Sequence, residues 1–342
     1  MFRFLLFPFA VLFDLVTSIR NSLYERGYKP SASFDLPVIS VGNLAVGGTG
    51  KTPMIEYLIR LLSKHYKIAT LSRGYGRETS GIRIAANTDS ASTIGDEPFQ
   101  LYRKFGESVK VCVGEERALA IPFIIDQAEE TEVILLDDSF QHRKVKPSFQ
   151  VVLTDYNNLF TKDWLMPVGR LRESRRGIDR ADVVVVTKCP PELGNEEMLE
   201  IEKSIRQYTS KPVFFSVIRY GDPVAINTYS KIDERVILVT GIANHKPIED
   251  YVAKHFKLIH HFLFPDHHSY TNEDLKKITA FAEKENAMVL TTEKDAAKLD
   301  SPPFAYAYDY IPFFYLPIQS EFLKNGKDFD EMVLSVVKQH VS

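Results

Sequence analysis

The sequence predicts a layered α/β fold in two parts, a three-layer α/β/α domain and a second, smaller α/β domain, with an N-terminal helix set apart from both. Short β-branched runs alternate with helical patterns, which implies mostly parallel sheets covered by helices. The alternation loosens near residues 220–233, which contain Gly221, Asp222 and Pro223. The first sixteen residues, MFRFLLFPFAVLFDLV, are far more apolar than the rest. The chain has 342 residues, and at about 150 residues per domain that suggests two domains.

Six strands are expected in the first domain, at 37–41, 67–71, 109–113, 132–136, 150–153 and 182–187. Val183 to Val186 form an unbroken apolar run, as a strand covered on both faces requires. At 52–64, Ile55, Leu58, Ile59 and Leu62 share one helical face. After the linker, strands at 236–240, 258–264 and 287–291 alternate with helices. The helices are at 246–255 and from a Thr271/Asp274 capping box to about Asn286. A closing amphipathic helix is expected at 327–340. The implied boundaries are 1–30 for the N-terminal region, 31–219 for the first domain and 220–234 for the linker. The smaller domain spans 235–318, and 319–342 is the C-terminal helix.

Composition narrows the function. Lys plus Arg is 42 and Asp plus Glu is 45, a net charge of −3. That balance argues against a nucleic-acid partner. Two cysteines, Cys112 and Cys189, exclude a disulfide framework or a zinc site built from cysteine alone. They make a reducing compartment the default. The apolar run from Phe4 to Phe13 falls short of the roughly 20 residues a spanning helix needs. Arg3 gives it the positive end of a signal peptide, but no A-x-A cleavage site follows. Arg20, Arg26 and Lys29, with Tyr24 and Tyr28 between them, suit a helix lying on a membrane surface. A first helix packed on the protein's own core fits the residues equally well.

The strongest chemical signal begins at Val38 and ends at Pro53. An apolar strand enters a turn with Gly47, Gly48, Thr49 and Gly50, and Lys51-Thr52 opens a helix. This is the context of a P-loop NTPase: backbone N–H groups surround the phosphates, Lys51 reaches the outer ones and the Thr52 hydroxyl meets Mg²⁺. The strict pattern wants glycine at 45, where this chain has Ala45. A second acidic site is needed for the metal. Asp137-Asp138, at the end of an apolar run, is the candidate. It lies where open α/β sheets bind ligands.

A P-loop leaves the acceptor open. A GTP-dependent switch is one class, since Thr187-Lys188-Cys189-Pro190 partly matches a guanine-reading [NT]-K-x-D motif. Position 190, however, is Pro rather than Asp. A kinase acting on a hydroxyl, lipid-borne or in a small soluble metabolite, is the other. The arginines at 170, 172, 175, 176 and 180 supply paired donors that match phosphate geometry. Gly95-Asp96-Glu97-Pro98 by itself reads as a helix start with an acidic first turn.

Several motifs, in order, resemble the lipid A 4′-kinase (tetraacyldisaccharide 4′-kinase) family. They include Gly42-Asn43-Leu44 with Gly47-Gly48-Thr49-Gly50-Lys51-Thr52-Pro53, Ser72-Arg73-Gly74-Tyr75-Gly76-Arg77 and Gly95-Asp96-Glu97-Pro98. Further along come Val113-Gly114 with Arg117, Asp137-Asp138 with Gln141-His142, and Pro167-Val168-Gly169-Arg170-Leu171-Arg172-Glu173. The last are Phe264-Pro265-Asp266-His267-His268 and Thr292-Glu293-Lys294-Asp295. Ser139 stands where the family usually has glycine, which bears on the backbone angles of that turn.

The resemblance implies ATP and Mg²⁺ as cofactors and an acylated glucosamine disaccharide 1-phosphate as lipid substrate. It implies a peripheral, monomeric protein on the cytoplasmic face of the inner membrane, with the N-terminal helix in the interface. Asp96 becomes the expected base for the 4′-hydroxyl, paired with His267, with His268 as the rival. Lys51, Asp137 and Asp138 complete the expected catalytic set. Gly47, Gly48, Thr49, Gly50, Thr52, Arg117 and Arg172 are expected at the nucleotide, and Thr52, Asp138 and Glu173 at the metal. Arg73, Tyr75, Arg77 and Arg170 are expected at the lipid head group.

Overall fold

The computed structural model describes residues 5–227, 232–266, 268–299 and 311–341. Helix α1 (Phe7–Glu25) precedes β1 (Val38–Asn43), α2 (Lys51–Leu62), β2 (Ile68–Ser72), β3 (Arg83–Ile84), α3 (Ala91–Ile94) and α4 (Asp96–Phe105). Then come β4 (Val109–Val113), α5 (Arg117–Gln127), β5 (Val133–Asp137), β6 (Phe149–Asp155), β7 (Val183–Thr187), α6 (Asn195–Arg206) and β8 (Val213–Tyr220). The second part holds β9 (Val224–Ala225), β10 (Arg235–Thr240), α7 (Lys246–His255), β11 (Lys257–Leu263), α8 (Asn272–Glu285), β12 (Met288–Thr292), α9 (Glu293–Leu299) and β13 (Phe313–Leu316). The chain ends with β14 (Ile318–Phe322) and α10 (Gly326–Val341).

Nine strands form the large sheet in the order β14-β8-β7-β6-β1-β5-β2-β4-β3. All pair in parallel except β14 and β3 at its two edges. Strands β1, β5 and β7 are buried at every position, because helices cover both faces. Met54, Ile55 and Leu58 of α2 and Phe329, Val333 and Val337 of α10 pack on one face. Ile121 and Ile124 of α5 pack on the other with Ile134 and Leu136. The expected three layers are therefore present. The smaller sheet has five strands, β11-β10-β12-β13-β9, parallel except at β9.

Two segments differ from expectation. The loosened stretch is not all linker, since Val224–Ala225 forms β9 and pairs with β13. Residues 319–342 do not begin as helix. Ile318, Ser320 and Phe322 alternate with Gln319 and Glu321, and this period of two makes β14 an edge strand beside β8. The chain thus crosses between the sheets twice, and the Gly221 N–H donates to the Pro317 carbonyl at 2.9 Å where the two crossings meet.

Candidate active site

The phosphate loop joins β1 to α2 at the C-terminal edge of the large sheet. Gly50 sits at φ 82°, a left-handed conformation that suits glycine and lets the turn feed directly into α2. Gly42 permits a close approach, since a Cβ there would lie 2.6 Å from Cβ of Phe140. Ala45, in the place of the usual glycine, is buried in a short antiparallel bridge with Leu171. The Val46 N–H donates to the Arg170 carbonyl at 2.8 Å, and the Arg172 N–H donates to the Leu44 carbonyl at 2.7 Å. The arginine segment is thereby laid along the loop.

Three side chains brace the loop from below. Asn43 Nδ2 donates to Thr49 Oγ1 at 2.7 Å, and Thr187 Oγ1 donates to the Thr49 carbonyl at 2.8 Å. Lys188, itself at φ 58°, donates to the Gly48 carbonyl and lies 3.0 Å from Asp155 Oδ2. The sequence signal for Lys188 was the incomplete guanine motif. Its side chain instead engages the loop backbone.

Asp137 ends β5 only 3 % exposed, and its Oδ1 is buried without a hydrogen-bond partner. Burial, then the charge of Glu97, pushes its carboxyl up to about 7, against the pull of Lys51. Asp138 follows at φ 46°. Burial would raise its carboxyl as well, but Lys51 and Arg172 outweigh it and hold it below the usual carboxylate range. The distances agree: Arg172 Nη1 lies 3.0 Å from Asp138 Oδ1, and Lys51 Nζ lies 3.8 Å from Oδ2. The left-handed residue of this turn is thus Asp138 rather than Ser139. Ser139 spends its hydroxyl on Ser40 at 2.8 Å, in the core.

Behind these groups runs a chain of supports. Gln141 Nε2 donates to the Asn43 carbonyl at 2.9 Å and to Glu173 Oε1 at 3.0 Å, and Gln141 Oε1 accepts from Arg172 at 3.3 Å. Glu173 is fully buried, and its oxygens also accept from Arg180 at 2.8 Å and from Asn21 of α1 at 2.8 Å. The structure therefore joins Glu173, expected at the metal, to Gln141, Arg180 and Asn21. Arg117 is buried, and its Nη1 donates to the Gly114 and Glu115 carbonyls. Burial lowers its guanidinium to about 10, with the Asp137 and Asp138 charges opposing. His142 is pushed down to about 4 by burial and by Arg117 and Arg73.

Asp96 opens α4. Its Oδ2 lies 3.1 Å from Nζ of Lys298, in the last turn of α9 in the smaller domain. His267 lies outside the described residues. His268, its rival, is turned to Asp274 at 3.1 Å and stacked on the Phe264 ring at 4.5 Å. Of the residues expected at the lipid, Arg73 and Tyr75 are exposed. Arg77 is buried in an ion pair with Glu115, and Arg170 pairs with Asp163 at 2.9 Å.

Among the described residues no cluster of three or more His, Cys, Asp or Glu is arranged to cage a metal. Mg²⁺ accompanying ATP needs no cage, because it takes phosphate oxygens, waters and one or two protein oxygens. The Thr52 hydroxyl, the Asp138 carboxylate and the unpartnered Oδ1 of Asp137 suit that role.

Helix α1 borders the same edge through Asn21. Its stripe of Ala10, Thr17, Asn21 and Tyr24 faces the body, while Phe9, Val11, Leu12, Leu15, Val16 and Ile19 are exposed. Among the described residues no helix is long and apolar enough to cross a membrane.

The class that this fold and this sheet edge define is the P-loop nucleotide-dependent phosphotransferase. Comparison with known proteins makes it specific. Residues 2–338 match the family described as tetraacyldisaccharide-1-P 4′-kinase. A tetraacyldisaccharide 4′-kinase of Flavobacterium johnsoniae is 44% identical over 345 residues, covering 99% of this chain and 98% of that one. The enzyme of the same name from Bacteroides thetaiotaomicron is 40% identical, over 98% of this chain and 93% of its own. A crystal structure of LpxK from Aquifex aeolicus in complex with ATP is 28% identical, with a TM-score of 0.79 over 98% of this chain and 100% of that one. The chain belongs to the tetraacyldisaccharide-1-P 4′-kinase family.

Proposed function

We infer that this protein uses ATP to phosphorylate the 4′-hydroxyl of a tetraacyldisaccharide 1-phosphate, a step of lipid A biosynthesis. Family membership supports the kinase over a GTP-dependent switch or a kinase of soluble metabolites. One structural observation carries the reading to this chain's residues. The phosphate loop, the Asp137-Asp138 turn and Arg172 share one sheet edge, and Asn21 ties a helix with an exposed apolar face to it.

Phosphoryl transfer is mostly positioning and charge neutralisation. The loop N–H groups from Gly47 to Gly50 and the start of α2 cradle the phosphates. Lys51 neutralises the outer phosphates, and Arg172 and Arg117 supply further positive charge at the transferred group. Thr52 and Asp138 with Asp137 would hold Mg²⁺, which would supply charge neutralisation for the phosphates when bound. Glu173 acts through its buried contacts, holding Gln141 and, through it, Arg172 in place. Asp96 accepts the proton of the 4′-hydroxyl, with His267 as its partner. Arg73 and Tyr75 lie open to the lipid head group, whereas Arg77 and Arg170 shape their own loops.

The protein acts as a monomer lying on the cytoplasmic face of the inner membrane. The exposed face of α1 enters the interface, and the lipid acceptor reaches the phosphate loop beside it. The test is transfer of labelled γ-phosphate to a tetraacylated disaccharide 1-phosphate. Asp96→Asn is expected to lose turnover while binding ATP normally. Near-normal turnover would remove Asp96 from the role of base.

A further inference from the structure

The contact between Lys298 and Asp96 joins the two domains at the proposed base. Lys298 is only 10% exposed at its side chain and lies 3.1 Å from the Asp96 carboxylate. The same Nζ donates to the His268 carbonyl at 3.1 Å. One ammonium therefore grips both the residue that opens α4 and the turn that follows β11. The surrounding packing is apolar: Ala297, next to Lys298 on α9, clusters with Ile94, Phe99 and Val113 of the large domain.

A separate network also joins the two domains. Lys104 of α4 meets Glu293 of α9 and also lies 2.7 Å from Glu56, which is buried on α2. That network joins the small domain to the phosphate-loop helix. Lys298 instead joins the Asp96 carboxylate to the His268 turn. An ammonium has three donors that can fix two acceptors at a set separation.

We propose that Lys298 is a positioning residue for phosphoryl transfer: it holds the Asp96 carboxylate and the His268 turn together, so that the base meets the acceptor hydroxyl in one orientation. This rests on the assignment of Asp96 as the base. A carboxylate held less tightly reaches the hydroxyl in a smaller fraction of encounters, and misplacement by about 1 Å can cost on the order of 100-fold.

The experiment compares Lys298→Met, Lys298→Arg, Asp96→Asn and the double variant Asp96→Asn/Lys298→Met. It measures kcat and KM for ATP and for the lipid acceptor, with thermal unfolding as a check on folding. Lys298→Met is expected to lower kcat about 10- to 100-fold with the KM for ATP within about twofold. Lys298→Arg should recover a large part of the loss. In the Asp96→Asn background Lys298→Met should add no further loss, because the lysine acts through that carboxylate. A kcat for Lys298→Met within twofold of wild type overturns the proposal, as does an equal loss in both backgrounds. If Lys298→Met does not fold, Lys298→Gln replaces it in both backgrounds with the same criteria. If Asp96→Asn alone keeps wild-type turnover, the assignment of the base fails, and this proposal with it. An inactive Asp96→Asn beside an active Lys298→Met overturns only the role of Lys298.

Discussion

Helices α1 and α2 are both rich in apolar residues and use them in opposite ways. Helix α2 buries Met54, Ile55, Leu58, Ile59 and Leu62 completely against the large sheet. Its polar start, Lys51 and Thr52, is delivered to the phosphate site. Helix α1 leaves Leu12, Leu15 and Val16 more than half exposed. It is held to the body through Asn21 on Glu173, the ring contact of Phe7 with Trp164, and Arg143 over the Tyr24 ring. One helix is fixed by its oily side and works with its polar end. The other is fixed largely by polar and ring contacts and keeps its oily side outward. Apolar content therefore says little about where a helix lies, and the position of its partners decides.

The largest expected effect breaks α2 at its polar end. Lys51→Ala should lower kcat by about 10²–10³-fold or more, the size seen when one preorganised charge-stabilising donor is removed. Binding to vesicles of phosphatidylethanolamine and phosphatidylglycerol should be unchanged, and loss of both together would dissolve the distinction between the helices. Next comes Leu58→Ala, which leaves a cavity in the core and should cost about 2–5 kcal/mol in chemical denaturation. Leu12→Ala in α1 should stay within about 0.5 kcal/mol in the same measurement. A loss at Leu12 as large as that at Leu58 would mean that α1 belongs to the protein's own core. Replacing Leu12, Leu15 and Val16 with serine should release the protein from those vesicles in a sedimentation assay. Turnover on a detergent-dispersed acceptor should persist.

Most of the large domain was legible in the sequence, for a local reason. The phosphate loop, Asp137-Asp138 and the strands around them are contiguous runs whose period or turn chemistry names them. The capping box at Thr271 and Asp274 forms as read, with Asp274 N–H donating to Thr271 Oγ1 at 3.1 Å. Strands β13 and β14 carry a weak signal because Pro312 and Pro317 interrupt short runs. Contacts across long sequence gaps were not legible at all. Asn21 with Glu173, Lys188 with Gly48 and Lys298 with Asp96 leave no spacing signal, since only the folded chain brings them together. The buried pairing of Arg77 was hidden likewise, because an arginine after a Gly-Tyr-Gly turn looks exposed until the fold supplies Glu115.

The smallest effect uses pH to separate the charged sheet edge from α1. His142 is pushed from 6.5 down to about 4, so between those values the unfolded chain binds a proton that the folded chain does not. Its contribution to stability is present above pH 6.5 and is lost as pH falls towards 4. Asp137 runs the other way. Its carboxyl is raised from 3.8 to about 7, so its contribution is present below pH 3.8 and is lost as pH rises through 7. The two oppose each other over one pH window, and the wild-type slope is their partial cancellation. Removing His142 with His142→Gln should tilt the profile so that Tm rises, relative to wild type, as pH drops from 6.5 to 4.5. Asp137→Asn should tilt it the opposite way. Leu12→Ala, which touches neither charge, should leave the slope alone. Parallel profiles for all three variants would place the pH response elsewhere, and equal tilts of one sign would show that burial does not govern both groups.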